Sequence, residues 1–318
     1  MGLELGRDLN KITENAALAV SDLIGKANGI EIDKAAVDAM REAFTNINLG
    51  AKIVVGEGKK DEAPCFFMDE QVGRKNKHEL DLAIDPIEGT EFAAEAKPNA
   101  VAVLAGTEEG KMLRVPDMYM DKIVVGPAAK GKINLNKGVL ENLAIIAGAK
   151  DTSIDELTVA VLDRKRHEDL INQINDAGAQ VKLIQGADLI WSIAAVRGIA
   201  GVDLLMGTGG APEGILTAAA VKCLGGDMVT KLCPQNKKEV KEAKKLGIND
   251  CNQVFSLNDM IAGDEIVFSL TGVTDGILVD GIKDGITQSI VMRKEAASKS
   301  YIREMETDYL MSEKLKIS

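Results

Sequence analysis

An α/β fold in two domains, α+β in the first and α/β in the second, is what this sequence predicts. Three observations lead there. At 318 residues the chain exceeds the size at which one hydrophobic core usually gives way to two. Its first part sets two amphipathic stretches ahead of short alternating runs, and from about Asn136 the pattern becomes strand, helix, strand.

Leu5, Leu9, Ile12, Ala16, Val20 and Leu23 recur at helical spacing, so the first segment predicts an amphipathic helix on the core. Lys26–Ile32 breaks the pattern. A second helix is predicted from Asp33, an aspartate suited to a helix start, with Val37, Met40 and Phe44 following at i+3 and i+4 steps. Ile53–Val55 predicts a strand ending at Gly56-Glu57-Gly58. Leu80, Leu82 and Ile84 alternate as a strand that Asp85-Pro86 is expected to stop. Val101–Leu104 and Ile123–Val125 add two more strands. Val159–Leu162, Glu168–Ile174 and Val181–Ile184 then form a parallel strand–helix–strand unit. It continues with a helix at Leu189–Val196, a strand at Val202–Met206 and a helix after Pro212. Ile266–Leu270 and Ile286–Met292 are later strands, and the last few residues are expected to be loose. The boundary is placed at 145/146, giving domains 1–145 and 146–318.

Composition narrows the chemistry. A net charge of −11 opposes a nucleic-acid backbone or an anionic membrane surface. There is no bilayer-length apolar run and no signal-peptide pattern, which reads as cytoplasmic. Cys65, Cys223, Cys233 and Cys251 form no CxxC pair. With only His78 and His167 in the chain, multi-histidine zinc sites and histidine-based hydrolase triads are disfavoured, so catalysis must rest on carboxylates and metal. The glycines at 207–210 invite a nucleotide motif, but the third glycine of G-x-G-x-x-G falls on Pro212. Gly209 to Gly214 is followed by Ile215-Leu216 where a P-loop has Lys-Ser or Lys-Thr.

The strongest signal is Asp85-Pro86-Ile87-Glu88-Gly89-Thr90, where a strand delivers two carboxylates and a hydroxyl into a sharp turn. Such oxygen donors suit a hard cation, Mn²⁺ or Mg²⁺. Gly89 lets a backbone approach closely, and the amides after it, if they open a helix, seat a phosphate.

This hexapeptide resembles the signature of the lithium-sensitive, metal-dependent sugar and inositol phosphatases. Gly56-Glu57-Gly58 with Asp61-Glu62-Ala63-Pro64, Pro116-Asp117-Met118-Tyr119-Met120 and Gly209-Gly210-Ala211-Pro212-Glu213-Gly214 are similar in order and separation to class II fructose-1,6-bisphosphatases. The resemblance runs from about Thr13 to Asp275. It implies a layered α-β-α-β-α sugar-phosphatase fold, with a metal-binding first domain and a substrate-binding second one.

By that resemblance, Asp33 and Glu57 hold one metal and Asp85, Glu88 and Glu213 a second. Two carboxylates about 4 Å apart repel by roughly 4 kcal/mol at an effective dielectric near 20, so five cannot converge as anions without cations. Taken singly, Asp33 also suits a helix cap, Glu57 a strand-end turn and Glu213 the first turn of a helix. The implied reaction is in-line attack of a metal-activated water on the 1-phosphate of fructose 1,6-bisphosphate, with Thr90 orienting the water and Asp61 accepting the Thr90 proton. Substrate contacts fall by the same resemblance to Glu88, Gly89, Thr90, Tyr119, Arg164, Lys165, Arg166, Gly186, Ala187, Asp188 and Gly210. Guanidinium forks suit a phosphate. Lys59 stands where the family usually has an acid and Gly29 where a lysine is common, and Lys26 is a substitute for the latter. Sedoheptulose 1,7-bisphosphate is the competing substrate, and a metal- or phosphate-binding regulator without turnover is the competing role. A homo-oligomer, dimer or tetramer, follows by family analogy.

Overall fold

The computed structural model describes residues 3–26, 28–56, 66–75, 79–296 and 299–309. It divides into two compact units, Met1–Met112 with Gly263–Ser318, and Leu113–Ala262. This differs from the single boundary expected at 145/146. The chain leaves the first unit and returns to it, because its last strands hydrogen-bond to early ones.

The first unit opens with helices α1 (Leu3–Val20) and α2 (Gly29–Thr45), then strands β1 (Ala51–Val55), β2 (Gln71–Val72) and β3 (Leu80–Glu88), the short helix α3 (Thr90–Ala94) and strand β4 (Val101–Glu108). The predicted apolar stripe of α1 is buried at Leu9, Ile12, Ala16 and Val20. Helix α2 starts earlier than predicted. Asn28 is its cap, its Oδ1 accepting from Glu31 N at 3.1 Å, which leaves the Asp33 carboxylate uncommitted to capping. Strand β3 also runs on through Asp85-Pro86. The register slips between Asp85, opposite Val103, and Glu88, opposite Val101. The resulting bulge takes the proline that has no N–H for the ladder, and it re-aims the side chains that follow.

The second unit contains β5 (Tyr119–Val125), α4 (Val139–Lys150), β6 (Thr158–Leu162), α5 (Glu168–Asp176), β7 (Gln180–Ile184), α6 (Asp188–Arg197), β8 (Leu204–Gly210), α7 (Ala211–Leu224), β9 (Asp227–Cys233), α8 (Lys237–Lys245), β10 (Val254–Ser256) and α9 (Leu257–Met260). Its sheet has the order β10-β9-β5-β8-β6-β7. The predicted parallel unit is present, β6 pairing in parallel with β7 and β8, while β5 runs antiparallel to β8 and β9. One face of the sheet packs Ile123, Val159, Val161 and Met206 against Leu143, Ile146 and Ile174 of α4 and α5. Helices α6 and α7 pack on β5, β8 and β9.

The chain then adds β11 (Ile266–Gly272), β12 (Ile286–Glu295) and β13 (Lys299–Asp308) to the first unit, whose sheet is ordered β13-β12-β11-β4-β3-β1-β2. Residues beyond Tyr309, expected to be loose, lie outside the described residues. A buried polar seam fastens this return to α1. Thr13 Oγ1 lies 2.9 Å from Ser269 Oγ and 2.8 Å from Thr271 Oγ1, and the Glu14 carboxylate accepts from Thr307 Oγ1 and Tyr309 OH, each at 2.7 Å. These hydroxyls sit at positions where an apolar stripe alone would be read. Among the described residues no helix is long and apolar enough to cross a membrane.

Candidate active site

In the first unit, the bulge in β3 sets the geometry. Asp85 Oδ1 accepts from Ile87 N at 3.1 Å, which folds the turn over its own carboxylate. Glu88 is buried, and Gly89 takes the left-handed conformation, φ 82°, that lets the chain reverse into α3. Thr90 Oγ1 donates to Asp33 Oδ1 at 2.7 Å, with Ile87 O at 3.0 Å. One hydroxyl proton serves two acceptors, so the shorter, charge-assisted bond to Asp33 dominates. Of the separated acids singled out above, Asp33 thus meets the turn across 57 residues of sequence.

The expected phosphate seat is narrower than its motif promises. Gly89 O already accepts from Phe92 N at 2.8 Å and Ala93 N at 3.1 Å, and exposed Glu91 stands in the first turn of α3. A Cβ at Gly29 would lie 3.4 Å from Thr90 Cγ2, so that departure borders the Thr90 methyl directly. Glu57, Lys59 and Asp61 lie outside the described residues.

In the second unit, the basic cluster splits. Arg164 donates to Asp163 O at 2.8 Å and to Gln185 O at 2.6 Å, clamping the loop that carries Gly186, Ala187 and Asp188. Arg166 donates to Thr208 O from Nε and Nη2, at 3.2 and 2.9 Å, and its guanidinium stacks 4.6 Å from the centre of the Tyr119 ring. Exposed Tyr119 and Arg166 therefore form one surface, which sequence spacing did not reveal. Lys165 is exposed between them in the chain. Ala187 holds φ 54°, a left-handed conformation costing roughly 1–2 kcal/mol in a residue with a Cβ, and it turns the chain so that Asp188 begins α6.

Asp188 is buried, and its Oδ2 accepts from Lys122 Nζ at 2.7 Å; the lysine side chain has no exposure. This pair lies against Gly209, where a Cβ would fall 2.0 Å from Asp188 Oδ2. At Gly210 a Cβ would fall 1.8 Å from Glu213 Oε2. Two successive glycines at the end of β8 therefore each admit a carboxylate against the backbone, a packing reason for the glycine run that nucleotide motifs do not supply. Glu213 sits in the first turn of α7. The residue as a whole is partly exposed, yet Oε2 is shielded and has no hydrogen-bond partner among the described residues. Burial pushes its carboxyl pKa upward, Asp188 and then Asp117 reinforce the rise, and Lys122 opposes it. An orphaned, shielded carboxylate oxygen fits a cation ligand awaiting its charge partner.

The family model of the bacterial fructose-1,6-bisphosphatase, glpX-encoded, matches residues 3–308. The chain belongs to this class II fructose-1,6-bisphosphatase family. It is 37% identical over 328 residues to a protein of Synechococcus elongatus (strain ATCC 33912 / PCC 7942 / FACHB-805), covering 94% of each chain. It is 38% identical over 296 residues to one of Prochlorococcus marinus (strain MIT 9312), covering 89% of each. Both relatives are named D-fructose 1,6-bisphosphatase class 2/sedoheptulose 1,7-bisphosphatase. The class II fructose-1,6-bisphosphatases are hydrolases, in keeping with a chain poor in histidine and rich in turn-borne carboxylates.

Two groups of this family member escaped sequence reasoning. Lys122 sits mid-strand in β5, where alternation marks it only as polar. His167 adjoins the basic cluster but is structural: Nδ1 lies 2.8 Å from Leu162 O, and Nε2 accepts from Thr208 N at 2.8 Å, which fixes a neutral ring with the proton on Nδ1. Burial lowers its pKa, and the neighbouring Arg166 charge adds to that, while the Leu162 carbonyl works the other way. The folded state therefore binds fewer protons than the unfolded one below the ordinary histidine range. Stability is expected to fall as pH drops below about 6.5, by at most about 1.4 kcal/mol per pH unit from this group. Urea unfolding at several pH values checks this; His167→Gln is expected to flatten that part of the profile, and an unchanged slope contradicts the assignment.

Proposed function

We propose that the chain hydrolyses the 1-phosphate of D-fructose 1,6-bisphosphate to fructose 6-phosphate and phosphate, with the bond from Thr90 to Asp33 as the observation that carries the reading. A hydroxyl held by a carboxylate at the end of a metal-phosphatase signature is suited to orient an attacking water. In this reading Asp33, Glu57, Asp85, Glu88 and Glu213 hold Mn²⁺ or Mg²⁺, for which the oxygen-only donor set and the orphaned Glu213 Oε2 speak. When bound, the cations supply Lewis-acid stabilisation of charge on the phosphoryl oxygens and lower the pKa of the attacking water.

The protein's own groups do the rest. Thr90 aligns the water while Asp33 holds its hydroxyl proton, and Asp61 is the acid that accepts that proton during turnover. Gly89 and the amides that open α3 approach the phosphate. Tyr119 and Arg166, with Arg164 and Lys165, receive the second phosphate, while Gly186, Ala187, Asp188 and Gly210 line the sugar. Sedoheptulose 1,7-bisphosphate is the second reading, favoured by the names of the relatives. The same reading places the protein in the cytoplasm, in gluconeogenesis and glycerol metabolism, as a homo-oligomer, dimer or tetramer, without nucleic-acid or membrane partners.

A matrix of divalent metals against sugar phosphates tests this. Phosphate release from fructose 1,6-bisphosphate with Mn²⁺ or Mg²⁺, abolished by chelator, is the expected result. No release from either bisphosphate with any metal overturns it in favour of a non-catalytic binder.

A further inference from the structure

We propose that Lys122 is a positioning residue that sets sugar selectivity by locking the rotamer of Asp188. The inference rests on the sugar-phosphatase reading, and it extends that reading to a residue with no contact to substrate of its own.

Lys122 stands in the centre of the sheet, opposite Gly207 of β8 and Thr230 of β9. A fully buried ammonium there is costly unless it is matched, and the match is Asp188 Oδ2 at 2.7 Å. Gly209 closes the other side, since a Cβ there would fall 2.0 Å from Asp188 Oδ2 and 2.9 Å from Lys122 Nζ. The carboxylate is thus held by a charge on one side and a backbone on the other. With Oδ2 committed, Oδ1 is left as the acceptor for a sugar hydroxyl. The left-handed Ala187 and the start of α6 fix where the Asp188 backbone stands, and Lys122 fixes where its carboxylate points. Oriented acceptors discriminate between ligands that carry the hydroxyl and ligands that lack it, so the lysine acts on selectivity and not on bond cleavage.

The test compares the parent chain with Lys122→Met and Lys122→Gln, each alone and combined with Asp188→Asn. Steady-state kinetics are read on fructose 1,6-bisphosphate and on p-nitrophenyl phosphate, which has no sugar hydroxyls, and binding of fructose 6-phosphate is read by calorimetry. Lys122→Met is expected to raise KM for the sugar ester and weaken fructose 6-phosphate binding by about tenfold each, so that the kcat/KM ratio between the two esters falls by about the same factor. On the Asp188→Asn background the lysine substitution is expected to add nothing further. If Lys122→Met does not fold, the neutral pair Lys122→Gln with Asp188→Asn is read against Asp188→Asn alone, with equal KM expected. Equal losses on both esters, or effects that add in the double variants, overturn the proposal while the phosphatase reading stands. A parent chain that neither hydrolyses the bisphosphate nor binds fructose 6-phosphate overturns both.

Discussion

Thr90→Val is expected to lower kcat for fructose 1,6-bisphosphate by roughly 10²–10⁴-fold while KM stays within about threefold. Valine keeps the volume and the branching of threonine, so the bulged turn and the start of α3 are retained. What disappears is the proton that Oγ1 donates to Asp33 Oδ1 at 2.7 Å. Asp33 is partly exposed and regains water, which keeps the stability cost near 1 kcal/mol or below. The separation of the two effects is the point of the experiment: a positioned hydroxyl acts on the transition state, whereas a merely structural one acts on the melting temperature. Thr90→Ser retains Oγ and is expected to recover most of the rate. Parent-like kcat in the valine variant would remove Thr90 from the chemistry.

Glu213→Gln carries the second large effect, and it has opposite signs with and without metal. The Glu213 carboxylate holds Oε2 away from solvent with no donor to meet it among the described residues, and its pKa is pushed up chiefly by burial. In chelator, replacing that charge with a neutral amide of the same shape is expected to stabilise the fold, because the desolvated charge and its repulsion by Asp188 are removed. With Mn²⁺ or Mg²⁺ present the order reverses, because the parent gains stability from ligation by mass action and the variant gains much less. Activity is expected to fall by at least about 10²-fold, since even partners one bond removed from a metal are worth 10–100-fold. Thermal unfolding with and without metal, alongside turnover, reads both signs. A variant that gains as much stability from the metal as the parent would show that Glu213 is no ligand.

Much of the fold was legible from periodicity. The stripe of α1, strands β3, β4 and β6, and helices α5, α6 and α7 lie where spacing puts them, because each is decided by which face of a local element meets the core. The misreadings share a cause. Asp33 looked like a helix cap, but Asn28, upstream of where the apolar pattern becomes visible, takes that role. Pro86 looked like a strand end, but a bulge absorbs it. The single boundary at 145/146 missed the return of β11 to β4, a pairing between residues more than 150 positions apart that no local signal announces. The hydroxyls of Thr13, Ser269 and Thr271 belong to that return and read as ordinary polar residues until they meet.

For the site, the sequence by itself determined which atoms are available: oxygen donors in a strand-to-turn motif, too few histidines for other chemistry, and glycines where backbone must come close. Those are properties of residue type and short-range order. Only the tertiary structure decided which of them are committed. It joined Thr90 to Asp33 and Arg166 to Tyr119, spent His167 on Thr208 N, and matched Asp188 at the start of α6 with a lysine from the middle of β5. The physical reason is that the cost of burying a charge or a donor is set by its nearest partner in space, and strand order, not sequence distance, determines which partner that is.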